Sequence, residues 1–347
     1  MEREHTFYRI PPEVIVMIYK RMNDIKDVNA TLSTCRRAKA IFDAHAGVIA
    51  KSHLLRTLDP SNIKLMVMAV ASRDVDPTDP ASLERFFHSY VWRTDPWPAS
   101  YFTMDMVVAL PWFCKAVDQL FNKTFIGLWR SHFYFGVTPT EGARELRTCL
   151  MMETAANLFY RAPGKHGAVL RHTPCGEWVD KYWEVFSHVE VETVLLTADY
   201  YRQCFFDSID TVYIAPRRAL YTSYRMNGVL GFTVGLENLY KWTQKLPLGS
   251  LPHIVEEFWW SGPEEEEIGT PYHDAKRCLG NKTRLQPRFQ PDPDAIDEET
   301  WQRVKCEGLK KFFGCGEFDQ SIGMLSCWDK ATLTRFGEAM RNAHPLP

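Results

Sequence analysis

The sequence predicts a mainly α-helical chain, and three observations carry that prediction. Apolar residues recur every three or four positions over long stretches instead of alternating. Two capping boxes, "TPTE" at 138–141 and "SHVE" at 187–190, open runs with that spacing. Prolines stand where a first helical turn tolerates them, at Pro11, Pro12 and Pro139.

The first element is "RIPPEVIVMIYKRM". Pro11 and Pro12 pre-set the entry, and Glu13 complements the positive end of the helix dipole. Val14 to Ile18 are apolar without a break, more than one buried stripe requires. After a polar break, "NDIKD", helical material is expected through Leu58. Val28, Leu32 and Cys35, then Ala38, Ile41 and Phe42, then Val48, Ile49 and Leu54 keep helical spacing. "DPSN" at 59–62 is expected as a turn, "IKLMVMAVAS" at 63–72 as a buried helix, and "RDVDPTDPAS" at 73–82 as a connector. The helix opened by "TPTE" is expected to run to about Tyr160. Ala143, Leu146, Leu150, Met151, Ala155 and Leu158 lie on one stripe, and "PGKHG" ends it. Further helices are expected from Trp178, with Val179, Tyr182, Trp183 and Phe186, and from Ser187, with Val191, Val194, Leu195, Ala198 and Phe205 inward.

Over 211–235 β-branched and aromatic residues allow short strands as well as helix. Residues 262–299, rich in Pro, Gly and charge, are expected as a surface insertion whose four consecutive glutamates form a solvated loop. Helical pattern returns with "ETWQRVKCEGLKKFFG", and a last helix is expected over about 329–342.

The formal net charge of −2 and pI near 6.6 give no general pull toward nucleic acid or anionic membrane. No secretory signal is visible, and no apolar run approaches the ~20 residues a bilayer requires. The nine cysteines are irregularly spaced without a C-x-x-C pair, so reduced, buried thiols are expected. His166, His172 and Cys175 come nearest to a metal cluster, but without closely spaced ligand pairs no metal and no cofactor is expected. Phosphate-binding, metalloprotease and nucleophile-elbow motifs are absent, and no catalytic residue is assigned. "VWRTDPWP" at 91–98 and "EEFWW" at 256–260 are aromatic clusters whose first expectation is packing, with recognition as the alternative.

In its N-terminal region the chain resembles an F-box. The match runs Ile10, Pro11, Glu13, Val14 and Ile18, then Asp27 and Val28, then "TCRR" at Thr34–Arg37. "TPTEGARELR" at 138–147, "FSHVEVE" at 186–192 and "CWDKATL" at 327–333 are similar to a common layout of filamentous-fungal F-box proteins. The resemblance implies a three-helix adaptor-binding unit over 8–57. An irregular, mostly helical domain with optional short strands would follow over 58–347, carrying the insertion at about 262–299. It implies docking on a Skp-type adaptor, and through it on a cullin–RING ubiquitin ligase. Ile10, Pro11, Glu13, Val14, Ile18, Val28, Leu32, Cys35, Arg36 and Arg37 would contribute to that docking. Met22 stands where Leu is usual, Asn29 and Thr31 replace frequent apolar residues, and Ala38 replaces a bulky one. Each trims apolar contact worth ~25 cal/mol per Å², so weaker adaptor affinity than typical is expected.

The expected function is recruitment of a protein substrate to a Skp–cullin–F-box ligase in the cytoplasm, the nucleus or both, without an active site, nucleic acid or membrane. A non-ligase scaffold with a degenerate F-box, and a cytosolic enzyme whose residues converge only in the fold, are the alternatives.

Overall fold

The computed structural model describes residues 9–22, 25–33, 35–133, 138–160, 176–198, 296–297, 299–303 and 330–343. The expectations for 211–235, "PGKHG", "EEFWW", Phe205, the cluster of His166, His172 and Cys175, and nearly all of the 262–299 insertion lie outside these residues. Among the described residues there is no strand, and the chain is mainly α.

In chain order the helices are α1 (Pro12–Arg21), α2 (Ile25–Leu32), α3 (Arg36–Thr57), α4 (Pro60–Ala71), α5 (Pro80–Phe86), α6 (Met104–Phe133), α7 (Pro139–Ala155) and α8 (Gly176–Trp183). They are followed by α9 (188–198), α10 (299–303) and α11 (Lys330–Ala343). No described helix is long and apolar enough to cross a membrane.

Three expected boundaries differ. The helical run expected from Val28 through Cys35 is broken: α2 stops at Leu32, and Cys35 becomes the N-cap of α3. Its backbone is extended, with φ −156°, and its Sγ accepts from the Ala38 amide at 3.3 Å. "DPSN" is not a free turn but the start of α4, because the Asp59 carboxylate accepts from the Ser61 amide at 2.8 Å and Pro60 takes the first helical position. Asp79 and Pro80 repeat the device inside the expected connector. Asp79 accepts from Ala81 at 3.0 Å and Ser82 at 3.1 Å to open α5.

Apolar burial is divided between two clusters. The smaller joins Ile15, Val16 and Tyr19 of α1 to Val28 of α2 and to Phe42 and Ile49 of α3. The larger is built around α4, in which Ile63, Leu65, Met66, Val67 and Met68 are all buried. A helix apolar on every face has to be enclosed, and each such side chain contributes ~1.5–3 kcal/mol. With 22 residues, α3 belongs to both clusters: Ala50, next to Ile49, and Leu54, five residues beyond it, sit in the larger one.

Opposite α4 runs α7, and buried amides fix their register. Asn62 Nδ2 donates to the Ala143 carbonyl at 2.7 Å near the start of both helices. Asn157 Nδ2 donates to the Ala69 carbonyl at 3.1 Å and to Ser72 Oγ at 3.0 Å near their ends. The two helices are therefore parallel, which requires the long return that α5 and α6 supply. The expected "TPTE" capping box is present: Thr138 Oγ1 accepts from the Glu141 amide at 3.2 Å, and the Glu141 carboxylate accepts from the Thr138 amide at 2.8 Å. Its "SHVE" counterpart forms as well, with Ser187 and Glu190 exchanging bonds of 2.8 and 3.2 Å.

A broad apolar stripe was expected on α7, yet Glu141, Arg144, Glu145, Arg147 and Glu153 are buried too. Arg147 shows how a charge is carried there. Its Nε donates to Glu190 Oε1 at 2.6 Å, a second nitrogen meets the same oxygen, and a third donates to the Ser61 carbonyl at 3.0 Å. One guanidinium thus ties α7 to the starts of both α4 and α9, a fork geometry that lysine lacks.

Candidate functional site

The geometry of α1 follows from its proline entry. Pro11 is extended, with ψ 143°, and Pro12 occupies the first turn, so the helix starts without a side-chain cap. At about 100° per residue, Ile15, Val16 and Tyr19 fall on one arc, while Val14, Met17, Ile18 and Arg21 fall on the opposite one. The structure buries the first arc against α2 and α3, where the Tyr19 and Phe42 rings meet edge to face at 5.3 Å. The second arc faces outward, leaving Val14 36%, Met17 53% and Ile18 37% exposed.

The far end of α1 is held by α3. His53 is buried, and its Nε2 lies 2.8 Å from the Tyr19 carbonyl oxygen. Arg56 donates to the Lys20 carbonyl at 2.7 Å, to the Met22 carbonyl at 2.6 Å and toward His53 Nδ1 at 3.0 Å. Carbonyls that a helix end leaves unpaired thus find partners on a neighbouring helix. Burial pushes the Tyr19 phenol above its usual value, with Cys35 and Asp43 adding to the shift.

The expected docking residues separate into three groups. Pro11, Glu13, Val14, Ile18 and Arg36 are exposed. Ile10, Leu32, Cys35 and Arg37 are half-buried, with Ile10 and Leu32 leaning on the smaller cluster. Val28 has no exposed surface and is part of the chain's own core, because α2 packs on α3 through that position. Among the replaced positions, Ala38 is fully buried, Met22 and Thr31 are half-buried and Asn29 is exposed.

Met17, absent from the expected docking set, is the most exposed apolar side chain of α1. The five-residue apolar run was the available signal, and the 100° projection would have separated its two faces. His53 and Arg56 were also missed, since a His and an Arg three positions apart on a helix carry no signal of a distant carbonyl.

The aromatic cluster of 91–98 is packed, as first expected. Phe87, Trp92 and Trp178 meet in edge-to-face and tilted contacts, and Tyr90, Trp97 and Tyr101 form a second group. Among the described residues no three His, Cys, Asp or Glu side chains gather in metal-binding geometry. What α1 offers is apolar surface on a stiffly entered, side-chain-latched helix, an arrangement suited to association.

No protein-family model, curated protein or solved structure matches this chain.

Proposed function

We infer that this chain is a substrate-recruiting F-box subunit of a Skp–cullin–F-box ubiquitin ligase. The observation that carries the reading is the two-faced α1, with Ile15, Val16 and Tyr19 inward and Val14, Met17 and Ile18 outward, following the proline entry of the F-box-like motif. An apolar patch left in water marks an interface. A Skp-type adaptor supplies the second half of that core, and Pro11 limits the ordering cost of docking. The helices beyond 58 recruit the protein substrate. The chain acts by holding substrate near a ligase-bound conjugating enzyme, a proximity effect without bond-making groups of its own.

The test is affinity purification with mass spectrometry, comparing wild type with the double variant Pro11→Ala, Ile18→Asp. Adaptor and cullin are expected to disappear from the variant while substrate candidates remain. Retention of the adaptor by the variant contradicts the assigned docking face.

A further inference from the structure

We propose that His53 and Arg56 form an acid-sensitive latch that seats the exit of α1 and releases it on protonation of His53. The geometry assigns the protons. The Tyr19 carbonyl can only accept, so Nε2, 2.8 Å away, carries the hydrogen. Arg56 Nη2 can only donate, so Nδ1, 3.0 Å away, presents its lone pair. His53 is therefore the neutral Nε2–H tautomer, and its Nδ1 helps to orient the guanidinium. That guanidinium bonds the Lys20 and Met22 carbonyls at 2.7 and 2.6 Å, so one imidazole organises three carbonyl contacts at the end of α1.

Protonation takes one proton from water onto Nδ1 and turns the acceptor into a donor. Two N–H groups, both cationic, then face each other across 3.0 Å in a site where His53 is buried. The guanidinium is the more exposed partner and moves, giving up Lys20 and Met22. The surrounding charges do not relieve this. From α1 come Lys20 and Arg21, both cations, and Glu13 sits at its opposite end. The other elements packed on α3 bring Lys26 and Asp27 on α2, Asp59 and Lys64 at α4, Tyr101, and Asp105 on α6. The charge that acts on His53 is Arg56, on its own helix.

Burial pushes the His53 imidazole below its usual 6.5; the Tyr19 hydrogen bond opposes that and the Arg56 charge adds to it. A histidine with a depressed folded-state pKa stabilises the seat fully above the unfolded value, 6.5. That contribution is lost as pH falls from 6.5 through the folded-state value. The latch stands on these contacts alone; its consequence for docking rests on the function proposed above.

The experiment is hydrogen exchange of the full chain followed at α1 from pH 7.5 down through the His53 titration midpoint, itself read from nitrogen-15 imidazole shifts, and corrected for intrinsic exchange. Wild-type protection at the end of α1 is expected to fall about tenfold, the scale of one buried hydrogen bond lost. His53→Gln keeps an N–H donor for Tyr19 but does not titrate, so its protection should not change with pH. Arg56→Ala should lower protection at every pH. Unchanged wild-type protection, or an equal fall in His53→Gln, overturns the proposal. Should His53→Gln fail to fold, nitrogen-15 imidazole shifts of wild type decide it: an Nδ1–H tautomer at pH 7.5 overturns the latch, and Nε2–H supports it. None of these readouts requires an adaptor, so failure of the docking reading leaves them intact.

Discussion

Two helical glycines should respond to the same substitution with opposite signs. Gly47 lies inside α3, where alanine normally stabilises by ~0.8–1 kcal/mol. A Cβ at Gly47, however, would stand 2.1 Å from the Ala99 carbonyl oxygen, 2.8 Å from its carbon and 3.3 Å from the Phe102 oxygen. All three are backbone atoms, so no rotamer change relieves the clash. The 99–102 segment or α3 must move by about 1 Å to reach an ordinary contact. That segment is pinned by the buried Phe102 ring and by Tyr101 against Trp97 and Tyr90. Overpacking costs about 1–3 kcal/mol, and a 2.1 Å approach to a backbone oxygen belongs in the upper half of that range, about 2–3 kcal/mol, which exceeds the propensity gain. Gly47→Ala should therefore destabilise by about 1–2 kcal/mol and lower Tm by about 2–6 °C. Gly142, in the first turns of α7, has nothing within 4 Å of an added Cβ, so Gly142→Ala should stabilise by about 0.5–1 kcal/mol. Urea denaturation followed by far-UV circular dichroism reads both variants. A Gly47→Ala chain as stable as wild type would refute the close approach of α3 to 99–102, above all if Gly142→Ala raises stability as expected.

Arg147→Ala should destabilise by about 3 kcal/mol in the same assay, because it strands the Glu190 carboxylate in a site the structure largely closes. Adding Glu190→Gln should recover part of that loss, and strict additivity would deny the pairing. Thr138→Ala removes the hydroxyl that accepts from the Glu141 amide and should cost ~1 kcal/mol; a neutral result would mean the capping box contributes nothing. Acidification below pH 6.5 should weaken protection at the end of α1 in wild type and spare His53→Gln.

Local chemistry was legible in the sequence, and distant chemistry was not. Thr138 with Glu141 and Ser187 with Glu190 are three residues apart, so their exchange of hydrogen bonds depends on little beyond the helix start itself. Asp59–Pro60 was read as a turn, but the same dipeptide also opens helices, and here the apolar run after it makes it a helix start. The burial of Arg147 and Glu153 on α7 was hidden because helical periodicity assigns charges to solvent. The partners of Arg147, Ser61 and Glu190, lie 86 and 43 residues away. The outward face of α1 was half legible. The apolar run announced surplus surface, while its inward share was set by Phe42 and Ile49, more than 20 residues on. For Val28 the helical spacing was visible, and the helix that covers it was not.

The most direct test of the docking account is a calorimetric titration of the full chain with a recombinant Skp-type adaptor, using wild type, Met17→Asp and Ile18→Asp. Both positions are outward, so the variants should keep the wild-type melting temperature. Wild type is expected to bind, and each aspartate to weaken binding by at least about tenfold, ~1.4 kcal/mol. A wild-type chain that binds no adaptor, or aspartate variants that bind as wild type does, would contradict the docking account.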